Sequence, residues 1–117
     1  PNGNVSAEFE YKDGYLTGTN KRYYTNGQLQ ITELVEFGNT EGTFRSYYSN
    51  GKMRHEYNYR HDNLHGYYKE YNDKGILSEE GNYYNGIAHG PMKLYDDSGK
   101  LLETYFFYYG KLLSVKK

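Results

Sequence analysis

Apolar and polar positions along this chain recur as a block rather than in a helical rhythm. Val5, Leu29, Met53, Leu77 and Leu101 stand 24 residues apart, and Tyr23, Tyr47, Tyr71 and Tyr95 keep the same interval. So do Tyr11, Val35, Tyr59, Tyr83 and Phe107, and a basic column of Lys21, Arg45, Lys69 and Lys93. Within each block, apolar and polar residues alternate and aromatic and β-branched residues are frequent, which is the pattern of half-buried strands. No segment carries a helical apolar stripe over ten or more residues. Such a period predicts one supersecondary unit repeated along the chain.

The glycines mark the turns. One series runs Gly3, Gly27, Gly51, Gly75, Gly99; a second runs Gly18, Gly42, Gly66, Gly90. A third runs Gly14, Gly38, Gly86, Gly110, with Asp62 at the place of one member. The expected fold is all-β: a meander of consecutive β-hairpins forming an elongated, twisted antiparallel sheet. Residues 1–117 read as a single repeat domain, with a partial unit at 1–18 and units at 19–42, 43–66, 67–90 and 91–117. In the first full unit, strands are expected at about 19–24 and 28–37. Each hairpin advances the sheet by roughly 10 Å, which gives a strip on the order of 45 Å long.

Thr25-Asn26-Gly27 and its equivalents form the hairpin loop. A two-residue turn would need positive φ at both centres, which suits Lys74 and Ser98 poorly. A three-residue loop needs it only at the invariant glycine, so a type I turn with a G1 bulge is expected. That register places Tyr24 opposite Gln28, Tyr23 opposite Leu29 and Lys21 opposite Ile31, and pairs Lys69 with Glu79 and Lys93 with Glu103. The competing register would pair Arg45 with Glu56 and Lys69 with Glu80. The segment Gly38–Gly42 is expected to connect one hairpin to the next. Tyr23, Leu29 and Val35 then share one face. Gln30, Thr32, Glu56, Glu80 and Asn82 share the other with Phe44, Tyr68 and Met92, and the sheet is expected to curl around its Tyr/Leu face.

Composition supports a thin sheet. Only 36% of the 117 residues are hydrophobic, yet there are 17 Tyr and 5 Phe. Disordered chains are poor in aromatics, whereas Tyr buries its ring and keeps its hydroxyl wet. The net charge of −1 gives no general pull toward nucleic acid or anionic lipid. There is no cysteine, so disulfides and thiolate chemistry are excluded. No apolar run is long enough to span a bilayer and no signal-peptide pattern stands in these 117 residues, which leaves the compartment unread. The first residue is Pro1, which leaves room for a removed upstream segment. The partial first unit lacks its first strand, so an exposed edge there would invite pairing with another chain. Ser114 stands where the second glycine series would continue, and the polar ending Lys116-Lys117 suits a cap.

The run Tyr47-Tyr48-Ser49-Asn50-Gly51, followed by Leu64-His65-Gly66 and echoed by Ala88-His89-Gly90, resembles the bacterial MORN-variant repeat. The resemblance covers essentially the whole chain. It implies a hairpin meander acting as a non-enzymatic interaction module, related to proteins labelled antitoxin-like and to eukaryotic relatives linked to membrane docking and scaffolding. The chain departs from the pattern at Asp62, at Asn72 and Asp96, and at Thr40-Glu41-Gly42. The resemblance supplies no catalytic residue.

The residues themselves give no catalytic, cofactor or metal site. His55, His61, His65 and His89 could in principle ligate a metal, but His65 and His89 lie roughly 10 Å apart on adjacent hairpins. Their imidazoles are expected to pack on neighbouring tyrosines. Glu56, Glu79, Glu80 and Glu103 form a solvated ladder rather than a glycosidase pair. The regular tyrosine columns read as the structural spine. Positions where units differ are the better partner-binding candidates: Phe37, His61, Asn85 and Tyr109 in one column, and Phe44, Tyr68 and Met92 in another. A protein is the expected partner, with the open face or an edge strand as its contact. A membrane surface or a glycan is the alternative.

Overall fold

The computed structural model describes residues 5–117; Gly3 lies outside them. The described residues contain eleven strands and no helix. In order they are β1 (Val5–Lys12), β2 (Tyr15–Tyr23), β3 (Leu29–Glu36), β4 (Asn39–Tyr47), β5 (Met53–Arg60) and β6 (Asn63–Tyr71). Then follow β7 (Leu77–Tyr84), β8 (Ile87–Ala88), β9 (Gly90–Tyr95), β10 (Leu101–Tyr108) and β11 (Lys111–Lys116). Every strand pairs antiparallel with its sequence neighbour, and β8 and β9 are one strand interrupted at His89. The sheet is an open meander measuring 47 × 35 × 17 Å.

Two kinds of turn alternate. The first is the expected three-residue loop. Tyr24 N–H donates to the Gln28 carbonyl (2.8 Å), Gly27 N–H donates to the Tyr24 carbonyl (2.9 Å), and the positive φ sits at Gly27 (87°). Gly51, Gly75 and Gly99 repeat that conformation with φ of 89°, 87° and 88°.

The second turn corrects the expected loop at Gly38–Gly42. The chain reverses over two residues, Phe37-Gly38, and β4 begins at Asn39. Both central residues have positive φ in Asp13-Gly14, Phe37-Gly38, His61-Asp62, Asn85-Gly86 and Tyr109-Gly110, which is the type I′ geometry. Gly42 instead lies inside β4, where the register against β3 shifts.

The charge pairs also differ from the preferred register. Tyr23 does face Leu29, but one residue further a bulge intervenes and Arg22 faces Ile31. Gln30 is the extra residue, and Arg54, Ser78 and Leu102 take its place in the later units. Lys21 therefore faces Thr32 rather than Ile31, Lys69 faces Glu80 rather than Glu79, and Lys93 faces Thr104 rather than Glu103. The turn is the predicted one; the bulge restores the pairs of the competing register a few residues beyond it.

The bulge also redistributes the faces. Ile31, Val35, Phe44, Tyr57, Tyr59, Tyr68, Tyr83 and Met92 share a first face. Lys21, Thr32, Arg45, Glu56, Lys69 and Glu80 share the second. Val35 thus parts from Tyr23 and Leu29, which lie with the polar second face. The first face holds the core: Tyr68 is 4% exposed. Its ring lies between Tyr57 (5.8 Å, stacked) and Tyr83 (5.3 Å). Its hydroxyl donates to Glu79 (2.7 Å) and that of Tyr57 to Glu70 (2.7 Å), so half-buried carboxylates and phenols satisfy each other.

Candidate functional site

Of the seven residues singled out from the sequence, Phe37, His61, Asn85 and Tyr109 come together along one long edge of the sheet. Each occupies the first position of a type I′ turn. The other three, Phe44, Tyr68 and Met92, lie on the first face, away from this edge.

The edge is built by a repeated hydrogen-bond scheme. The two central N–H groups of a two-residue turn have no partner in their own hairpin, so each needs one elsewhere. Here the preceding hairpin supplies both. The second N–H donates to a carbonyl: Gly38 to Leu16 (2.7 Å), Asp62 to Thr40 (3.1 Å), Gly86 to Leu64 (2.6 Å) and Gly110 to Ala88 (2.7 Å). The first donates to the next side chain along: Phe37 to Thr17 Oγ1 (3.1 Å), His61 to Glu41 Oε1 (2.8 Å), Asn85 to His65 Nδ1 (3.2 Å) and Tyr109 to His89 Nδ1 (3.0 Å). This explains the His-Gly dipeptides. His65 and His89 are acceptors that dock the next turn, which requires the imidazole proton on Nε2.

The exceptions in the pattern compensate locally. Asp62 takes the glycine position at φ 68°, and its carboxylate accepts the N–H of Thr40 (2.6 Å). His61 Nδ1 lies 2.8 Å from the Glu41 carboxylate.

Aromatic rings cover this edge. Phe37 meets Tyr15 edge-on at 6.0 Å. Tyr109 stacks on His89 at 4.2 Å and contacts Tyr84 (5.7 Å) and Tyr108 (4.8 Å); Tyr84 in turn rests on His65 (5.1 Å). Phe37 is 45% exposed and Tyr109 51%. Bulky side chains rarely occupy the left-handed region, yet Phe37 has φ of 51° and Tyr109 of 43°. Such conformations cost on the order of 1–3 kcal/mol and persist only where the surroundings impose them. The edge therefore holds large, half-exposed rings in strained, fixed positions. Sequence reasoning found the turn column through its variability. It missed Tyr84 and Tyr108, which flank the turns at the ends of their strands.

The other titratable groups do structural work. His55 shares a hydrogen bond with Ser46 (3.0 Å) and stands 3.8 Å from Glu70. Burial lowers its pKa below 6.5, against the attraction of Glu70. Burial and the hydrogen bonds to their carboxylates push Tyr57 and Tyr68 well above the usual phenol range. Tyr95, donating to Glu80, is pushed up to about 12. Among the described residues no group of three or more His, Asp or Glu side chains could hold a metal ion. On the first face Glu70, Glu79 and Glu103 each accept a tyrosine hydroxyl and Glu33 accepts the amide of Asn20, while Ser46, the hydroxyl paired with His55, is itself buried.

No curated protein matches this chain. The family model described as MORN repeat variant matches residues 16–35, 40–61, 64–85 and 88–109, and each matched segment except the first ends on a type I′ turn residue. The chain belongs to the MORN repeat variant family and is a repeat-based protein-binding scaffold.

Proposed function

We propose that the type I′ turn edge is the surface with which this scaffold engages a protein partner. The observation that carries this is the pair of strained, half-exposed aromatics, Phe37 and Tyr109, with Tyr84, Tyr108 and His89 packed around the latter. Rigid aromatic rings deliver contact area at low entropic cost, and Tyr is enriched among residues that dominate binding energy. Strain kept at an exposed position points to use of that position rather than to stability. A partner neutralised by such binding would make the chain antitoxin- or immunity-like.

The test uses Tyr109→Asn, because Asn85 already occupies the same turn position in the third unit. Cross-linking and affinity capture from source lysate are expected to recover a protein with the wild-type chain and to lose it with the variant, whose fold is retained. Equal capture by both would place binding elsewhere, and recovery of no protein by either would sink the reading. The exposed ring cluster also suits stacking on a sugar. Glycan-array signal that vanished in Tyr109→Asn while no protein was captured would favour that reading instead.

A further inference from the structure

The second face is most apolar in the fourth unit; the first unit, with Gln30, Thr32 and Leu34, goes part of the way. In the second and third units, the positions after the hairpin loop on this face are polar: Arg54 and Ser78 at the bulge, then Glu56 and Glu80, then Asn58 and Asn82. In the fourth unit the same positions read Leu102, Thr104 and Phe106. Opposite them, Thr43 and Tyr67 give way to Pro91. All of these changes run from polar toward apolar or uncharged.

Arg45 is bonded to Glu56 at 2.9 Å. Lys93 faces Thr104 on one side. On its other side it faces Glu80, whose carboxylate accepts the hydroxyl of Tyr95. Among the described residues, neither Lys93 nor Lys116 forms an ion pair. Lys116 stands opposite Thr104 on the far strand, so two ammonium groups flank the same buried threonine. Together these side chains line a groove of about 540 Å³, within the size range of small-molecule sites.

We propose that this groove binds a fatty carboxylate, its apolar tail against Pro91, Leu102 and Phe106 and its carboxylate between Lys93 and Lys116. An apolar floor alone would accept any greasy molecule. Two unpaired ammonium groups with no carboxylate between them select the anion and reject a cationic head group. The site is separate from the turn edge and stands or falls independently of it.

Sodium decanoate, titrated below its micelle concentration and followed by amide NMR shifts, is the test. Saturable shifts confined to β9, β10 and β11 are expected. Thr104→Glu gives Lys93 the partner that Arg45 has in Glu56, and Phe106→Asn restores the residue of Asn58 and Asn82. Both are residues that other units accommodate, so the fold is expected to hold. Each variant is expected to weaken decanoate binding by about tenfold or more. Unchanged affinity in both variants overturns the proposal. So does binding of decanol or decyltrimethylammonium as tight as that of decanoate, or shifts that spread over the sheet without saturating.

Discussion

Residue sizes on the first face are matched across the hairpin, pair by pair. Asn20 faces Glu33, Phe44 faces Tyr57, Tyr68 faces Gly81 and Met92 faces Tyr105. Only the third unit places its ring on the first strand and nothing opposite. A Cβ at Gly81 would stand 2.7 Å from Cε1 of Tyr68 and 3.1 Å from its Oη. That ring is not free to move, since Tyr57 and Tyr83 hold its two sides and Glu79 holds its hydroxyl. In an open strand Gly→Ala stabilises by about 0.4–1 kcal/mol through the unfolded chain. Here overpacking is expected to dominate, so Gly81→Ala should destabilise by about 1–3 kcal/mol. Urea unfolding checks the sign: a midpoint equal to or above that of the wild type would show that Tyr68 yields easily and is not the centre of the core.

Each β-hairpin depends on its predecessor for the two N–H groups of its type I′ turn. Three residue types, Thr17, Glu41 and the pair His65 and His89, serve the same acceptor position. What the position requires is therefore a lone pair at the right reach, not an imidazole. His65→Thr should leave stability within about 0.5 kcal/mol of wild type, whereas His65→Leu should cost about 0.5–1.5 kcal/mol by removing the acceptor of the Asn85 N–H. Equal midpoints for the two variants in thermal or urea unfolding would refute the docking role. This link was only partly legible in the sequence. The period and the G1 loop followed from glycines that no other residue could replace. The type I′ turns were masked because Phe37, His61 and Tyr109 stand where Asn or Asp normally signals them, although Asp13-Gly14 and Asn85-Gly86 carried that signal. The bulges at Gln30, Arg54, Ser78 and Leu102 were not readable either. One inserted residue leaves both the alternation before it and the alternation after it intact, and no residue type is required at the site. The candidate turn column was visible as variability, but its strain depends on φ and needed the fold.

Across the whole sheet, the cohesion between units is uneven. At the three-residue loops, Tyr24 and Tyr48 hydroxyls donate to the carbonyls of Tyr47 and Tyr71 (2.7 Å each), and Asn26 and Asn50 donate to Ser49 and Asp73 (2.9 Å each). These bonds tie the first unit to the second and the second to the third. In the later units Asn72 and Asp96 replace the second tyrosine, and their side chains accept N–H groups of their own loops instead. The third and fourth units therefore lack that tie, and β9, β10 and β11 hang on the strand ladder and the type I′ edge. Ser46, Tyr68 and Gly81 are buried in β4, β6 and β7 and Thr104 alone in β10, whereas every residue of β11 is exposed. In a repeat array stability is approximately a sum of unit and interface terms, so unequal interfaces produce local opening rather than one global transition. Native-state hydrogen exchange is expected to show the slowest amides in β4 to β7, with β10 and β11 opening at lower free energy. Returning Asn72 to Tyr should restore the missing tie and slow exchange in β9 and β10 without changing β2 and β3. A profile that is flat along the chain, or an Asn72→Tyr variant that slows every strand alike, would mean that the sheet unfolds as one unit and that the loop ties do not set its weak end.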